Sequence, residues 1–163
     1  MKKLAFLLLT ATALADKVPD DLEMVRFAGP DVVPSPACLA VAASGEVFVG
    51  VDMNGSLGKG PNKGKVVRLI DEDADGVADS HTVFAKTDNP RGIIPVGNQV
   101  YVLHTVIPEA TGVLEALHLS VFTDDNWDGV ADSSKILVSD LSPPLHNQKR
   151  GADHTTNGIQ MGI

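Results

Sequence analysis

Apolar and polar residues alternate in short runs along most of this chain. The runs are A-C-L-A-V-A from Ala37, E-V-F-V-G-V from Glu46, K-V-V-R-L-I from Lys65 and H-T-V-F-A from His81. Q-V-Y-V-L-H from Gln99, L-H-L-S-V-F from Leu117 and K-I-L-V from Lys135 follow. Each run is rich in β-branched or aromatic residues and ends in Gly, Asn, Asp or Ser, the pattern of a short strand bounded by turns. The segment from Asp16 to about Pro36 is acidic and dotted with proline, and E-M-V-R-F-A from Glu23 reads as a lead-in strand.

The runs repeat. Glu46-Val47-Phe48-Val49 corresponds to Gln99-Val100-Tyr101-Val102 at an offset of 53 residues, and Asp71 corresponds to Asp124 at the same offset. A period near 50 residues holding four short strands is the signature of a β-propeller blade. The fold class expected is therefore all-β, a β-propeller, with one blade over 36–88, a second over 89–141 and the start of a third over 154–163. N-G-I-Q-M-G-I from Asn157 marks that start by its likeness to R-G-I-I-P-V-G from Arg91. Propellers close with about four to eight blades, so the sequence reads as the N-terminal part of a longer protein.

The most specific chemistry lies between the third and fourth strand of each repeat, in D-E-D-A-D-G-V-A-D over 71–79 and D-D-N-W-D-G-V-A-D over 124–132. Oxygen side chains at positions 1, 3, 5 and 9 around a glycine at position 6 suit a hard, oxygen-seeking cation. These are expected to be calcium loops. Asp71, Asp73, Asp75 and Asp79 would supply the side-chain ligands of the first, and Asp124, Asn126, Asp128 and Asp132 those of the second. The carbonyls of Val77 and Val130 would add position 7. An EF-hand is excluded, because position 12 is Thr82 in one copy and Lys135 in the other and the flanks are strands. The plain alternative is an acidic surface turn, since Asp and Gly are ordinary turn residues. Two copies with the same D-G-V-A-D-S ending weigh against it.

Charge fits the metal reading. The formal net charge is −8, from 21 acidic residues against 13 Lys and Arg, and nine of the acids lie in the two loops. Two divalent cations would cancel half of the net charge, so the acidity speaks for metal rather than for a basic partner, and nucleic acid is not expected as a ligand. With 44% hydrophobic residues, disorder is not indicated.

Residues 1–15, M-K-K-L-A-F-L-L-L-T-A-T-A-L-A, combine two lysines, a short apolar run and a small-x-small ending at Ala13 and Ala15. That is the pattern of a secretory signal peptide cleaved after Ala15, with residues 16–35 as the lead-in of the mature chain. Export to the periplasm or outside would place the loops where free calcium is plentiful. No further transmembrane segment is expected. The single cysteine, Cys38, cannot form an internal disulfide and reads as a small buried core residue.

The glycine- and lysine-rich insert N-G-S-L-G-K-G-P-N-K-G-K from Asn54 matches neither a Walker loop nor G-x-G-x-x-G, and is expected to be a mobile hairpin loop. The long connection before the third unit holds His146, Lys149, Arg150, Asp153 and His154. His81, His104 and His118 are spaced unlike a metal site, and Trp127 is expected to pack on its own hairpin.

G-P-N-K-G-K-V-V-R-L-I-D-E-D-A-D-G-V-A-D, together with H-T-T-N-G-I-Q-M-G-I, resembles the sorbosone-dehydrogenase-like propellers, often labelled membrane-bound dehydrogenases, of planctomycetes and verrucomicrobia. The resemblance covers about residues 20–163. That family is related to the soluble quinoprotein sugar dehydrogenases, six-bladed propellers that hold calcium and pyrroloquinoline quinone. It implies a quinone-dependent oxidation of a sugar or alcohol, with a cytochrome c domain as electron acceptor. His154 would then be the general base and Asp153 its orienting carboxylate, while Arg150 would contact a quinone carboxylate. A histidine with a pKa near 6.5 can take a hydroxyl proton at neutral pH. The competing expectation is a non-catalytic, calcium-stabilised propeller that binds a glycan or a protein.

Overall fold

The computed structural model describes residues 21–55, 60–142, 149 and 158–162. The signal peptide expected over residues 1–15, the start of the third unit before Gly158, and His146, Arg150, Asp153 and His154 lie outside these residues.

All regular elements described are strands. They are β1 (Pro36–Val41), β2 (Val47–Asp52), β3 (Gly64–Ile70), β4 (Ser80–Lys86), β5 (Asp88–Val96), β6 (Gln99–Val106), β7 (Ala116–Thr123) and β8 (Ser133–Val138). They form two antiparallel four-stranded sheets, β1-β2-β3-β4 and β5-β6-β7-β8, each ordered as in the sequence. The expectation of an all-β chain holds. The lead-in run E-M-V-R-F-A differs from expectation, since it joins no ladder among the described residues.

The sheets pack face to face. Phe48, Val66, Phe84 and Ala85 of the first sheet and Ile93, Val100 and Val102 of the second make one buried cluster, with Cys38, Phe122 and Ala131 at its margin. Phe48 and Phe84 meet edge to face at 5.3 Å, the arrangement favoured by the ring quadrupoles. Cys38 is half-buried beside this cluster rather than fully enclosed, and burial pushes its thiol pKa up to about 11. It is an inert thiol at neutral pH. The opposite face of the first sheet buries Val49, Val51, Val67 and Leu69 under Phe27, Ala28, Val32 and Val33 of the lead-in segment. That segment is a cover on the sheet.

β5 is the strand that joins the two halves, lying against β1, β2 and β3 as well as its own partner β6. Its first residues run close over the first sheet. A methyl group at Gly50 would stand 3.0 Å from Pro90 Cβ and 2.5 Å from Cys38 Sγ, so only glycine admits the approach.

Successive side chains of a strand face opposite sides, so a strand that buries one set presents the other to whatever lies beyond. β8 shows this. Ile136, Leu137 and Val138 are exposed, although Phe84 and Ala85, in the corresponding stretch of β4, are buried by the second sheet. Phe84→Ala should therefore remove a central part of the contact between the sheets and lower stability by about 3–5 kcal/mol, measured by urea unfolding of the full chain.

Candidate metal centre

Antiparallel order puts both Asp-rich loops at one end of the sheets. The first joins β3 to β4 and the second joins β7 to β8, beside the β1–β2 and β5–β6 turns. The asparagine of the β5–β6 turn holds the second loop by its rim. Asp124 N–H donates to Asn98 O at 2.9 Å, and Asn98 Nδ2 donates to Asp124 O at 3.2 Å.

The two loops share four backbone-to-side-chain bonds. Position 1 accepts from the glycine N–H at position 6, Gly76 to Asp71 Oδ2 at 2.9 Å and Gly129 to Asp124 Oδ2 at 2.8 Å. Position 3 accepts from the N–H at position 5, at 3.1 Å for Asp73 and 2.9 Å for Asn126. Position 5 accepts from position 7, Val77 to Asp75 at 2.8 Å and Val130 to Asp128 at 2.9 Å. Position 9 accepts from position 2 at 2.7 Å in both, Glu72 to Asp79 and Asp125 to Asp132. Position 4 has φ of 61° in both loops, at Ala74 and Trp127, and the glycine at position 6 has φ of 87° in both. A left-handed Ala or Trp is uncommon and marks a backbone held by its surroundings.

These bonds use one oxygen each of Asp71, Asp73, Asp75, Asp79, Asp124 and Asp128, whereas Asp132 accepts with both, its Oδ1 taking Asn126 Nδ2 at 3.5 Å. Asp71, Asp73 and Asp79 bring an oxygen each within 4.8 Å of one another. Asp71 Oδ1 and Asp124 Oδ1 are buried without a hydrogen-bond partner, and Asp124 is only 6% exposed. An unpartnered carboxylate oxygen out of water is costly unless a cation meets it. The donors are all oxygens, from carboxylates and one amide, which suits a hard divalent ion such as calcium. The residues fit the ion.

The sequence reading expects Trp127 to pack on its own hairpin. The residue is 64% exposed and sits at the seam between the sheets, beside Glu46, Phe48, Arg68 and Phe84 of the first and Val100 of the second. Arg68 and Glu46 form an ion pair at that seam. Asn62 and Asn54 show that the insert after β2 is tied at its ends. Asn54 Nδ2 donates to Gly60 O and Gly60 N–H to Asn54 Oδ1, both at 2.9 Å, and Asn62 bonds Glu109 across the sheets.

The opposite end of the sheets holds a polar cluster that the sequence reading missed. Asp52, only 2% exposed, pairs with Arg91 at 2.7 Å and accepts from Asn89 Nδ2 at 3.1 and 3.2 Å and from Asn54 N–H at 2.9 Å. Asn89 Oδ1 in turn accepts from Thr105 Oγ1 at 2.6 Å. Nearby, an open cleft of about 680 Å³ is lined by Asn62, Lys65, Lys86, Thr87, Asp88 and Glu109. Burial raises the Asp88 pKa, opposed by the N–H of Lys63, which donates to its carboxylate at 3.0 Å. An Asp directly after the apolar run V-F-V-G-V was the one signal that could have pointed to this cluster.

His104 and His118 are cross-strand partners on β6 and β7, with ring centroids 6.3 Å apart. Burial lowers the His104 pKa, with a smaller contribution from His118. The Thr105 carbonyl, 3.0 Å from Nδ1, can only accept, so Nδ1 carries the proton and the neutral ring's Nε2 accepts from Ser120 Oγ at 2.9 Å. Both nitrogens are thus engaged, which leaves the ring structural.

Fold and site together define an all-β repeat protein with an acidic, oxygen-lined hairpin loop at the same place in each sheet. The chain belongs to the family described as Domain of unknown function (DUF7133), whose model matches residues 12–163. Neither the curated proteins nor the solved structures offer a match to this chain. Among the described residues no helix is long and apolar enough to cross a membrane.

At the polar end, Asp52→Ala would leave Arg91 buried without its counter-charge and strip acceptors from Asn89 and Asn54. The expected loss is about 3–5 kcal/mol of stability, read from denaturant unfolding at neutral pH.

Proposed function

We propose that this chain is a calcium-stapled segment of a β-propeller, exported from the cell and belonging to a quinone-dependent dehydrogenase of sugars or alcohols. The observation that carries the calcium assignment is the pair of orphaned oxygens, Asp71 Oδ1 and Asp124 Oδ1, at the same position of two superposable loops. Supporting it is the convergence of Asp71, Asp73 and Asp79. The bound ion would neutralise mutually repelling carboxylates and lock the strand-to-strand turn, a structural duty.

The propeller reading draws on the serial packing of two like sheets and on the exposed apolar side chains of β8, which a further sheet would cover as the second covers β4. The lead-in segment, standing over the other face of the first sheet, is in keeping with a ring of such units.

The dehydrogenase part rests on the sequence resemblance. His154 is the proposed general base for a substrate hydroxyl, Arg150 the proposed contact to pyrroloquinoline quinone, and a cytochrome c the electron acceptor. When bound, the quinone would supply the two-electron oxidant, while His154 would hold the hydroxyl proton on a ring nitrogen.

Calorimetric titration of the chain with calcium should show two sites, with Asp71→Ala and Asp124→Ala each removing one. No uptake of calcium by the unaltered chain would overturn the assignment. For the catalytic part, quinone-reconstituted full-length protein should reduce an electron-accepting dye, and His154→Ala should lose that activity. Unchanged dye reduction in the variant would point instead to the non-catalytic, glycan- or protein-binding propeller.

A further inference from the structure

The residues after each loop's glycine do more than close a hairpin. In the second loop, Ala131 N–H donates to Phe84 O of β4 at 2.8 Å, and Gly129 O accepts from Thr82 Oγ1 at 2.9 Å. Both partners belong to the other sheet. The Phe84 carbonyl lies at a bulge of the outer strand: Val66 pairs with Ala85 and Val67 with Val83, so Phe84 falls between two rungs of the ladder.

The first loop makes the same contact with a different element. Ala78 N–H donates to Phe27 O at 2.9 Å. Phe27 and Ala28 then pack against Val49, Val67, Leu69 and Ala78, much as Phe84 and Ala85 pack against Val100, Val102, Phe122 and Ala131. The lead-in segment takes toward the first sheet the place that β4 takes toward the second. One difference stands out. Two residues before the phenylalanine, β4 has Thr82 and the lead-in has Val25, whose methyl group lies 3.6 Å from where a Cβ on Gly76 would be. Valine makes no hydrogen bond there.

The docking bonds and the cation ligands share the same few peptides. Gly129 lies in the middle, its two flanking peptides each held on one side: its N–H donates to Asp124 Oδ2 at 2.8 Å, while its carbonyl accepts from Thr82 Oγ1 at 2.9 Å. Asp124 is the nine-tenths buried residue whose other oxygen is orphaned inside the loop. Space for the contact exists only because residue 129 is glycine, since a Cβ there would stand 2.5 Å from Arg68 Nη1 and 2.9 Å from Thr82 Oγ1. Ala131, which docks on Phe84, adjoins Asp132 of position 9.

We infer that the cation site of the second loop is supported across the interface between the sheets, with Thr82 as a positioning residue that holds the Gly129 carbonyl and so fixes the backbone at Gly129, whose N–H in turn holds Asp124. Thr82 is not a ligand. This inference rests on the calcium reading of the loops and adds to it that cation binding and sheet docking are coupled, each strengthening the other by the same factor. The first loop, docked on Val25 and Phe27, is the built-in comparison, because it lacks the threonine bond.

The test uses the full chain and calcium alone. Trp127, the single tryptophan, occupies position 4 of the second loop, so its fluorescence reports that site while calorimetry counts both. Thr82→Val should weaken the second site about fivefold, the worth of one ordinary hydrogen bond, and leave the first site unchanged. Thr82→Ser should restore the affinity, which a packing role for the methyl group would not do. Val25→Thr should tighten the first site by a similar factor. Wild-type affinity at the second site of Thr82→Val would overturn the inference, as would equal weakening of both sites. If the unaltered chain binds no calcium, the calcium reading itself falls, an outcome separable from the other two.

Discussion

A four-stranded antiparallel sheet has two faces, and in this chain both faces are apolar. That constraint governs the rest of the structure. Val49, Val51, Val67 and Leu69 point one way from the first sheet, while Phe48, Val66 and Phe84 point the other. Neither set can be buried by the sheet itself, so the first sheet needs a neighbour on each side. The second sheet covers one face, and Phe27, Ala28, Val32 and Val33 cover part of the other. Leu39 and Val41 on β1 stay exposed where the lead-in does not reach.

The same constraint explains why the outer strand bulges. β4 is the outer strand of its sheet, so one row of its carbonyls is free of β3 in any case, and the bulge sets which of them meets the next sheet. Placing Phe84 between rungs turns its carbonyl outward to Ala131. β8 repeats the device, since Leu119 pairs with Val138 and Ser120 with Ile136, leaving Leu137 as the extra residue. Bulges that recur at corresponding positions are features of the design rather than faults in the ladder.

How much of this could be read from the sequence follows from how local each feature is. Strand content and the two Asp loops were legible, because period-two alternation and a nine-residue ligand pattern are encoded within single segments. The 53-residue register also placed the sheets in series. What escaped was everything that depends on which strand lies next to which. The partnership of Asp52 and Arg91, the pairing of His104 with His118 and the place of Trp127 at the seam join residues from different strands or sheets. The lead-in run E-M-V-R-F-A was read as a strand from its own pattern, yet strand pairing needs a partner ladder and none is present among the described residues. Its Phe-Ala pair, shared with β4, was the overlooked clue.

The two ends of the sheets divide the work. At the loop end, oxygens converge and the backbone is held in left-handed turns at Ala74 and Trp127, features that make a rigid joint. The opposite end combines a buried Asp-Arg pair with an open cleft carrying lysines and acids. Rigid loops on strand ends make poor sites for a substrate that must enter and leave, whereas connections of variable length at the other end can change without disturbing the joint. The insert after β2, the β4–β5 link and the β6–β7 connection all fall at that other end. The acidic loops and the open cleft therefore stand at opposite ends of the sheets, the loops beside the contact of Ala131 with Phe84 and the cleft among the longer connections.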